Sequence, residues 1–271
     1  MTKMKREEKS GKRNTAEIFV ECLENHGVRD VFGVPGAETL ALLEALRKSK
    51  IKFITTRHEQ AAAFMAATIG RMTGKIGVAL STLGPGATNL VTGVAHAQLG
   101  GFPLLVITGQ KPIKKSKQGQ FQIVDMVGMM KPVTKYSATI TDGEEVASMF
   151  AEAVSLAEGE RPGAVHLELP EDIAEESCKA VPLVSLKIKN PTAQDSEIEK
   201  ALAVIEKAKH PIIALGGGVN RQPVRKELEA FFKKTNIPFI STQMGKGAMN
   251  ETSQFYIGTT GIQGGDFIHL A

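Results

Sequence analysis

Cysteine is scarce in this chain, with two among 271 residues, Cys22 and Cys178. They stand far apart, and Cys22 falls on the apolar side of a predicted helix, so both read as buried thiols rather than as a disulfide or a metal site. Long hydrophobic runs are missing too, since no stretch approaches the roughly 20 apolar residues that a membrane-spanning helix needs. There is no ligand spacing for zinc, iron or calcium and no Ser/His/Asp arrangement. Charge of one sign is in surplus only at the start. The formal net charge is +4, and Lys3, Lys5, Arg6, Lys9, Lys12 and Arg13, set against Glu7 and Glu8, account for all of it. The remainder is neutral, which argues against a basic surface for nucleic acid. Residues 1–13 have no apolar core after their charges and are not poor in acids. They read as a disordered, solvated leader rather than a targeting segment. With reduced thiols, a cytoplasmic location is expected.

What the chain does have is regular alternation of helix and strand signals. Its length suits one large or two medium domains, and 42% hydrophobic with 23% charged residues is ordinary for a globular protein. Residues 15–26 place Ile18, Phe19, Cys22 and Leu23 on one helical face, and Gly27 suits the carboxyl-terminal stop. Further helices are read at 38–47, 58–72, 122–130 and 142–158. Strands are read at 30–34, 51–54, 76–80, 103–108 and 164–169, and the continuous apolar runs among them suit a parallel sheet covered on both faces. The pattern predicts a doubly wound parallel α/β domain over 14–184. Residues 185–196 lose periodicity and carry Asn190-Pro191, which marks a linker. Beyond it, 197–271 reads as a second α/β domain, too small to be complete. It has helices at 197–208 and 224–235, strands at 211–215 and 238–241, and Gly216-Gly217-Gly218 after the first strand.

Two strand-to-helix turns carry the candidate chemistry. In Thr56-Arg57-His58-Glu59-Gln60, a carboxylate enters a helix at the carboxyl end of a strand, where open parallel sheets gather their ligands. About 25 residues on, Leu80-Ser81-Thr82-Leu83-Gly84-Pro85-Gly86-Ala87-Thr88-Asn89 is a second such turn, rich in glycine. Each has a plain structural reading, Glu59 as a first-turn acid on the helix dipole and Gly84-Pro85-Gly86 as an ordinary turn. Thr88 and Asn89 open the next helix, where Thr88 suits a cap. His58 suits local hydrogen bonding at the helix start. Lys111, Lys114, Lys115 and Lys117 form a charge run that is most simply solvated, with a weaker reading as an attractor of anionic substrate.

With Val31-Phe32-Gly33-Val34-Pro35-Gly36-Ala37 upstream and Pro103-Leu104-Leu105-Val106-Ile107-Thr108-Gly109-Gln110 downstream, the order and spacing of these blocks resemble thiamin-diphosphate enzymes of the acetolactate synthase type. The likeness runs from about Thr15 onward and implies the amino-terminal, pyrimidine-binding domain and part of the central domain of a carboligase or decarboxylase for 2-oxo acids. It implies that Glu59 is the glutamate that hydrogen-bonds the aminopyrimidine ring, favouring the tautomer that activates the cofactor. Val34, Pro35 and Gly36 would face the reacting centre, although the family usually carries a polar residue where Val34 stands. Thr82, Gly84, Pro85, Gly86 and Asn89 would line the cofactor, with glycine admitting a close approach. Gln120-Phe121-Gln122 resembles the family's Phe-Gln-Glu segment, which makes Phe121 and Gln122 substrate-proximal, with Ile123 in place of the glutamate.

For the second domain the resemblance implies a site for FAD at Gly216, Gly217, Gly218, Thr242, Met244 and Gly245, which many relatives leave empty. The relatives hold the cofactor's diphosphate through magnesium on a Gly-Asp-Gly segment in a carboxyl-terminal domain. This sequence has none, its nearest match being Gly264-Gly265-Asp266. The chain alone is therefore expected to be inactive, with magnesium held by an absent domain. A homodimer or larger homo-oligomer, or a complementing chain, is expected, with 93–102 suited to the interface or to packing on its own sheet. The alternative is a non-catalytic remnant or binding subunit of the same fold. A nicotinamide-dependent dehydrogenase ranks lower, since no acid ends the strand at Phe239, Ile240 and Ser241.

Overall fold

A computed structural model describes residues 13–114, 121–182, 192–221 and 224–261. The leader through residue 12, Lys115, Lys117, Gln120, the 185–191 part of the linker and Gly264-Gly265-Asp266 lie outside them. The chain divides into two compact units, Met1–Asn190 and Pro191–Ala271.

In the first unit the elements follow as α1 (Thr15–His26), β1 (Asp30–Gly33), α2 (Leu40–Lys48), β2 (Lys52–Thr55), α3 (Glu59–Thr73), β3 (Gly77–Ser81), α4 (Gly84–Thr88), α5 (Val91–Gly100), β4 (Leu104–Gln110), α6 (Met126–Met130), β5 (Tyr136–Thr139), α7 (Val146–Glu158), β6 (Ala164–Pro170) and α8 (Glu171–Glu175). The six strands form one parallel sheet in the order β2-β1-β3-β4-β6-β5. This is the expected doubly wound α/β class. Strands β3, β4 and β6 are buried at every position, because helices cover both faces. Alternation sorts their side chains. Val78, Leu80, Leu105 and Ile107 join the core under α1, α2 and α7. Ala79, Leu104 and Val106 join the core under α3 and α5.

Local chemistry sets the ends. Asn14 and Glu17 form a reciprocal capping box on α1, and Gly27 stops it at φ 93°. Helix α3 lies very close to the sheet: a Cβ on Gly77 would stand 1.8 Å from the Ala66 carbonyl oxygen. Its sheet-facing residues are accordingly Ala62, Ala63, Ala66 and Ala67. The chain leaves β1 for β2 on one side and returns to β3 on the other, so the switch point lies between β1 and β3. The loops after β1 and β3 therefore border the crevice at the strands' carboxyl ends.

The helix expected over 122–130 is only Met126–Met130, capped by Asp125. Gln122 sits instead in the left-handed region at φ 61°, which ends any helix there. Strand β5 was missed, since its residues are all half-buried and give no apolar run. No helix among the described residues is long and apolar enough to cross a membrane. Cys22 and Cys178 are buried thiols, as expected.

The second unit runs α9 (Asp195–Lys207), β7 (Ile213–Leu215), α10 (Arg225–Thr235), β8 (Phe239–Thr242) and β9 (Tyr256–Thr260). Its parallel sheet has three strands in the order β7-β8-β9. A small core of Leu215, Phe232, Phe239 and Met249 holds it, with Phe232 stacked on Phe239 at 4.6 Å between ring centroids. Asp195 and Ser196, expected in the linker, already belong to α9.

Candidate functional site

Glu59 opens α3 at the carboxyl end of β2. The chain enters through Thr56, whose N–H donates to the Gly33 carbonyl at 2.8 Å and whose hydroxyl donates to the His58 carbonyl at 3.0 Å. His58 caps the helix, its Nδ1 accepting the Gln60 N–H at 3.1 Å, which is the local role expected of it. Glu59 is 8% exposed, and its Oε2 accepts the Asn89 side-chain amide at 2.9 Å. A carboxylate so sheltered needs donors, and Asn89 supplies one. Among the described residues Oε1 accepts no hydrogen bond.

The glycine-rich segment after β3 closes against this carboxylate. A Cβ on Gly86 would stand 2.8 Å from Ser81 Oγ, 2.9 Å from Thr82 Cγ2 and 3.1 Å from Glu59 Oε1. A side chain there would have to displace Ser81 and Thr82. Gly84 has φ +49°, and its Cβ position is 2.0 Å from the Gln122 carbonyl oxygen, so the Gln122 backbone crosses this turn. Gly36, from the loop after β1, packs on Thr82, whose Cβ would lie 2.4 Å from a Cβ on Gly36. The hydroxyl of Ser81 is buried and has no hydrogen-bond partner among the described residues.

The turns thus bring Gly36, Thr82, Gly84, Gly86 and Asn89 together around Glu59. Val34 and Pro35 occupy the same loop after β1, and Pro85 lies between the two glycines. Phe121 is 74% exposed, and Gln122 reaches the cluster through its backbone. Gly84-Pro85-Gly86 forms the first turn of α4. Thr88 does not cap the next helix: its hydroxyl donates back to the Pro85 carbonyl at 2.9 Å. Asn89 ends α4 and turns its amide to Glu59. In the second unit, Gly217 packs on Met244, and a Cβ on Gly245 would stand 1.9 Å from the Leu215 carbonyl. Asn220 ties this pair of turns by donating to the Met244 and Lys246 carbonyls at 2.8 and 3.2 Å. Gly216, Gly217, Gly218, Thr242, Met244 and Gly245 are therefore gathered at the carboxyl ends of β7 and β8.

Sequence reasoning missed Glu38. It lies in the 3-10 turn Ala37–Thr39 and is buried. Its Oε2 accepts the Thr82 hydroxyl at 2.6 Å and its Oε1 accepts Lys111 Nζ at 2.7 Å. Burial opposes its ionisation, but the hydrogen bonds from Lys111 and Thr82 outweigh that and hold the carboxyl below its ordinary range. No local pattern signals this pair, whose members are 73 residues apart. Lys111 is thus not part of a solvated run.

Residues 13–129 match the family model described as thiamine pyrophosphate enzyme, N-terminal TPP binding domain. Residues 198–271 match the one described as thiamine pyrophosphate enzyme, central domain. The chain belongs to the thiamine pyrophosphate enzyme family. Within that family it is 39% identical over 259 residues to the probable acetolactate synthase large subunit of Methanococcus aeolicus, covering 93% of this chain and 43% of that protein. To the acetolactate synthase isozyme 3 large subunit of Escherichia coli it is 36% identical over 256 residues, covering 92% of this chain and 45% of that protein. The chain spans less than half the length of these relatives and corresponds to their amino-terminal and central domains.

Proposed function

We propose that this thiamine pyrophosphate enzyme chain supplies the aminopyrimidine end of a thiamin-diphosphate site in a carboligase or decarboxylase for 2-oxo acids, similar to acetolactate synthase. The observation that carries the reading is the buried Glu59 carboxylate, held by Asn89 on one oxygen and abutting Gly86 with the other. Glycine at 36 and 86 lets the turns after β1 and β3 close tightly around that carboxylate, at the carboxyl edge where an open parallel sheet receives its ligand.

When bound, thiamin diphosphate would supply a nucleophilic carbon for attack on the substrate carbonyl. The residues of this chain would do the rest. Glu59 Oε1 would share a proton with the aminopyrimidine ring nitrogen, while Asn89 keeps Oε2 from turning away. Burial of Glu59 keeps water from competing for that proton. Gly36, Gly84 and Gly86 let the loop after β1, the turn after β3 and the Gln122 backbone pack closely around Glu59. The diphosphate, with magnesium, would be held by a segment or chain beyond these residues, and assembly as a homo-oligomer would complete the site. The clustered turns of the second unit are the natural place for FAD. The cytoplasm is the compartment that suits its thiols.

The test is a steady-state assay of the assembled enzyme with pyruvate, 2-oxobutyrate and benzoylformate, in wild type and Glu59→Gln. Product from at least one 2-oxo acid, lost in the variant, supports the reading. Full activity in Glu59→Gln would refute it.

A further inference from the structure

Polar side chains are linked across the carboxyl edge of the first sheet. Thr82, at the end of β3, donates to Glu38 at 2.6 Å, and Lys111, at the end of β4, donates to the other oxygen at 2.7 Å. The Lys111 N–H donates to Gln110 Oε1 at 2.9 Å, and Gln110 Nε2 donates to Glu168 of β6 at 3.0 Å. Thr139 of β5 completes the row with a 2.8 Å bond to Glu168. Glu38 is the member that joins the loop after β1 to this row. Its backbone lies against β4, where a Cβ on Gly109 would come within 3.1 Å of the Glu38 carbonyl oxygen.

The consequence falls on Thr82. Its methyl and Glu59 Oε1 both lie close to the position a Cβ on Gly86 would take, at 2.9 and 3.1 Å. Its Cβ also packs on Gly36. A threonine side chain has few rotamers, and the Glu38 hydrogen bond selects the one that leaves this space as it is. Lys111 holds Glu38 in turn, an ion pair with both side chains largely sheltered and so less screened than a surface pair.

We infer that Glu38, anchored by Lys111, is a positioning residue that fixes Thr82 and through it the 84–90 segment against Glu59. As a statement about pyrimidine binding, the inference rests on the functional reading above. As a statement about the segment, it stands alone.

The test uses the full chain carrying Glu38→Ala, Thr82→Val, both together, and Glu59→Gln. Hydrogen exchange over 84–90 is followed by mass spectrometry, and the free hydroxymethyl aminopyrimidine that forms half of thiamin is titrated by NMR. Glu38→Ala should speed exchange over 84–90 and weaken pyrimidine binding about three- to tenfold, the effect of one lost hydrogen bond. Thr82→Val should do the same, and adding Glu38→Ala to it should change little more, because both act along one path. General destabilisation does not produce that non-additivity, and it is read separately from the thermal midpoint. Unchanged exchange over 84–90 in Glu38→Ala, or fully additive effects, overturns the positioning role. The functional reading fails on different results: no pyrimidine binding by the wild type, or binding that survives Glu59→Gln. The exchange data decide the positioning role in either case.

Discussion

The Asn89 amide donates to the Glu59 carboxylate at 2.9 Å, joining the end of α4 to the start of α3 across 30 residues of sequence. Neither residue needs the other for its own element, since His58 caps α3 and the Gly84 turn starts α4. The bond therefore belongs to the site. In the assembled enzyme Glu59→Gln is expected to lower kcat by about 10²-fold or more, the usual range for a lost proton-transfer group. Asn89→Ala should be milder, about tenfold, the scale of one lost hydrogen bond to a charged group. Steady-state kinetics on both variants check the order.

Gly86 leaves no room for a side chain. Its Cβ position lies 2.8 to 3.1 Å from Ser81, Thr82 and Glu59, and two of these residues are themselves held by hydrogen bonds. Gly86→Ala should cost about 1–3 kcal/mol in stability and reduce cofactor affinity more than Gly74→Ala. Gly74 has open space, but its left-handed φ makes that control pay a backbone cost without touching the site. Denaturant melts together with cofactor titration separate the two effects.

At the opposite edge of the sheet, Glu158 is buried and accepts from the Ile76 N–H at 2.9 Å and from Lys75 Nζ at 3.0 Å, with His26 Nε2 at 2.7 Å. Burial opposes its ionisation, but these partners, His26 foremost, hold its carboxyl below the ordinary value of 4.5. A depressed carboxyl contributes stability that is fully present above the unfolded value and is lost as pH falls through the folded one. Urea melts should show this loss in the acid limb below about pH 4.5. Glu158→Ala should flatten that limb and cost about 3–5 kcal/mol at neutral pH, because it strips buried partners of their acceptor.

His166 lies between Thr108 and Ser137, 2.8 Å from each. Ser137 gives its proton to the Val127 carbonyl at 3.1 Å, so it accepts from Nδ1–H, and Nε2 accepts from Thr108. Burial pushes the imidazole down from 6.5 to about 3. The unfolded chain takes up this proton first, so folding stability decreases as pH drops from 6.5 towards 3. NMR titration should find the His166 ring neutral and unshifted at about pH 5, where an ordinary histidine is charged.

The sequence by itself determined the elements of the first sheet's interior and the placement of Glu59. Those follow from short-range rules: apolar runs for β3 and β4, a glycine stop after α1, and a carboxylate one residue past the cap of α3. It misjudged Thr88, whose hydroxyl turns back to Pro85, and the helix at Gln122, whose backbone is pulled over Gly84. Edge strand β5 escaped because half-buried residues carry no continuous apolar signal. Only the tertiary structure decided which side chains meet. Glu38, Thr82 and Lys111 lie on three separate turns that the strand order brings to one edge, and Asn89 reaches Glu59 only because the order β2-β1-β3 brings the turns after β2 and β3 to that same edge. A contact between residues 30 or 73 positions apart depends on strand order and crossover direction, which local propensity does not encode.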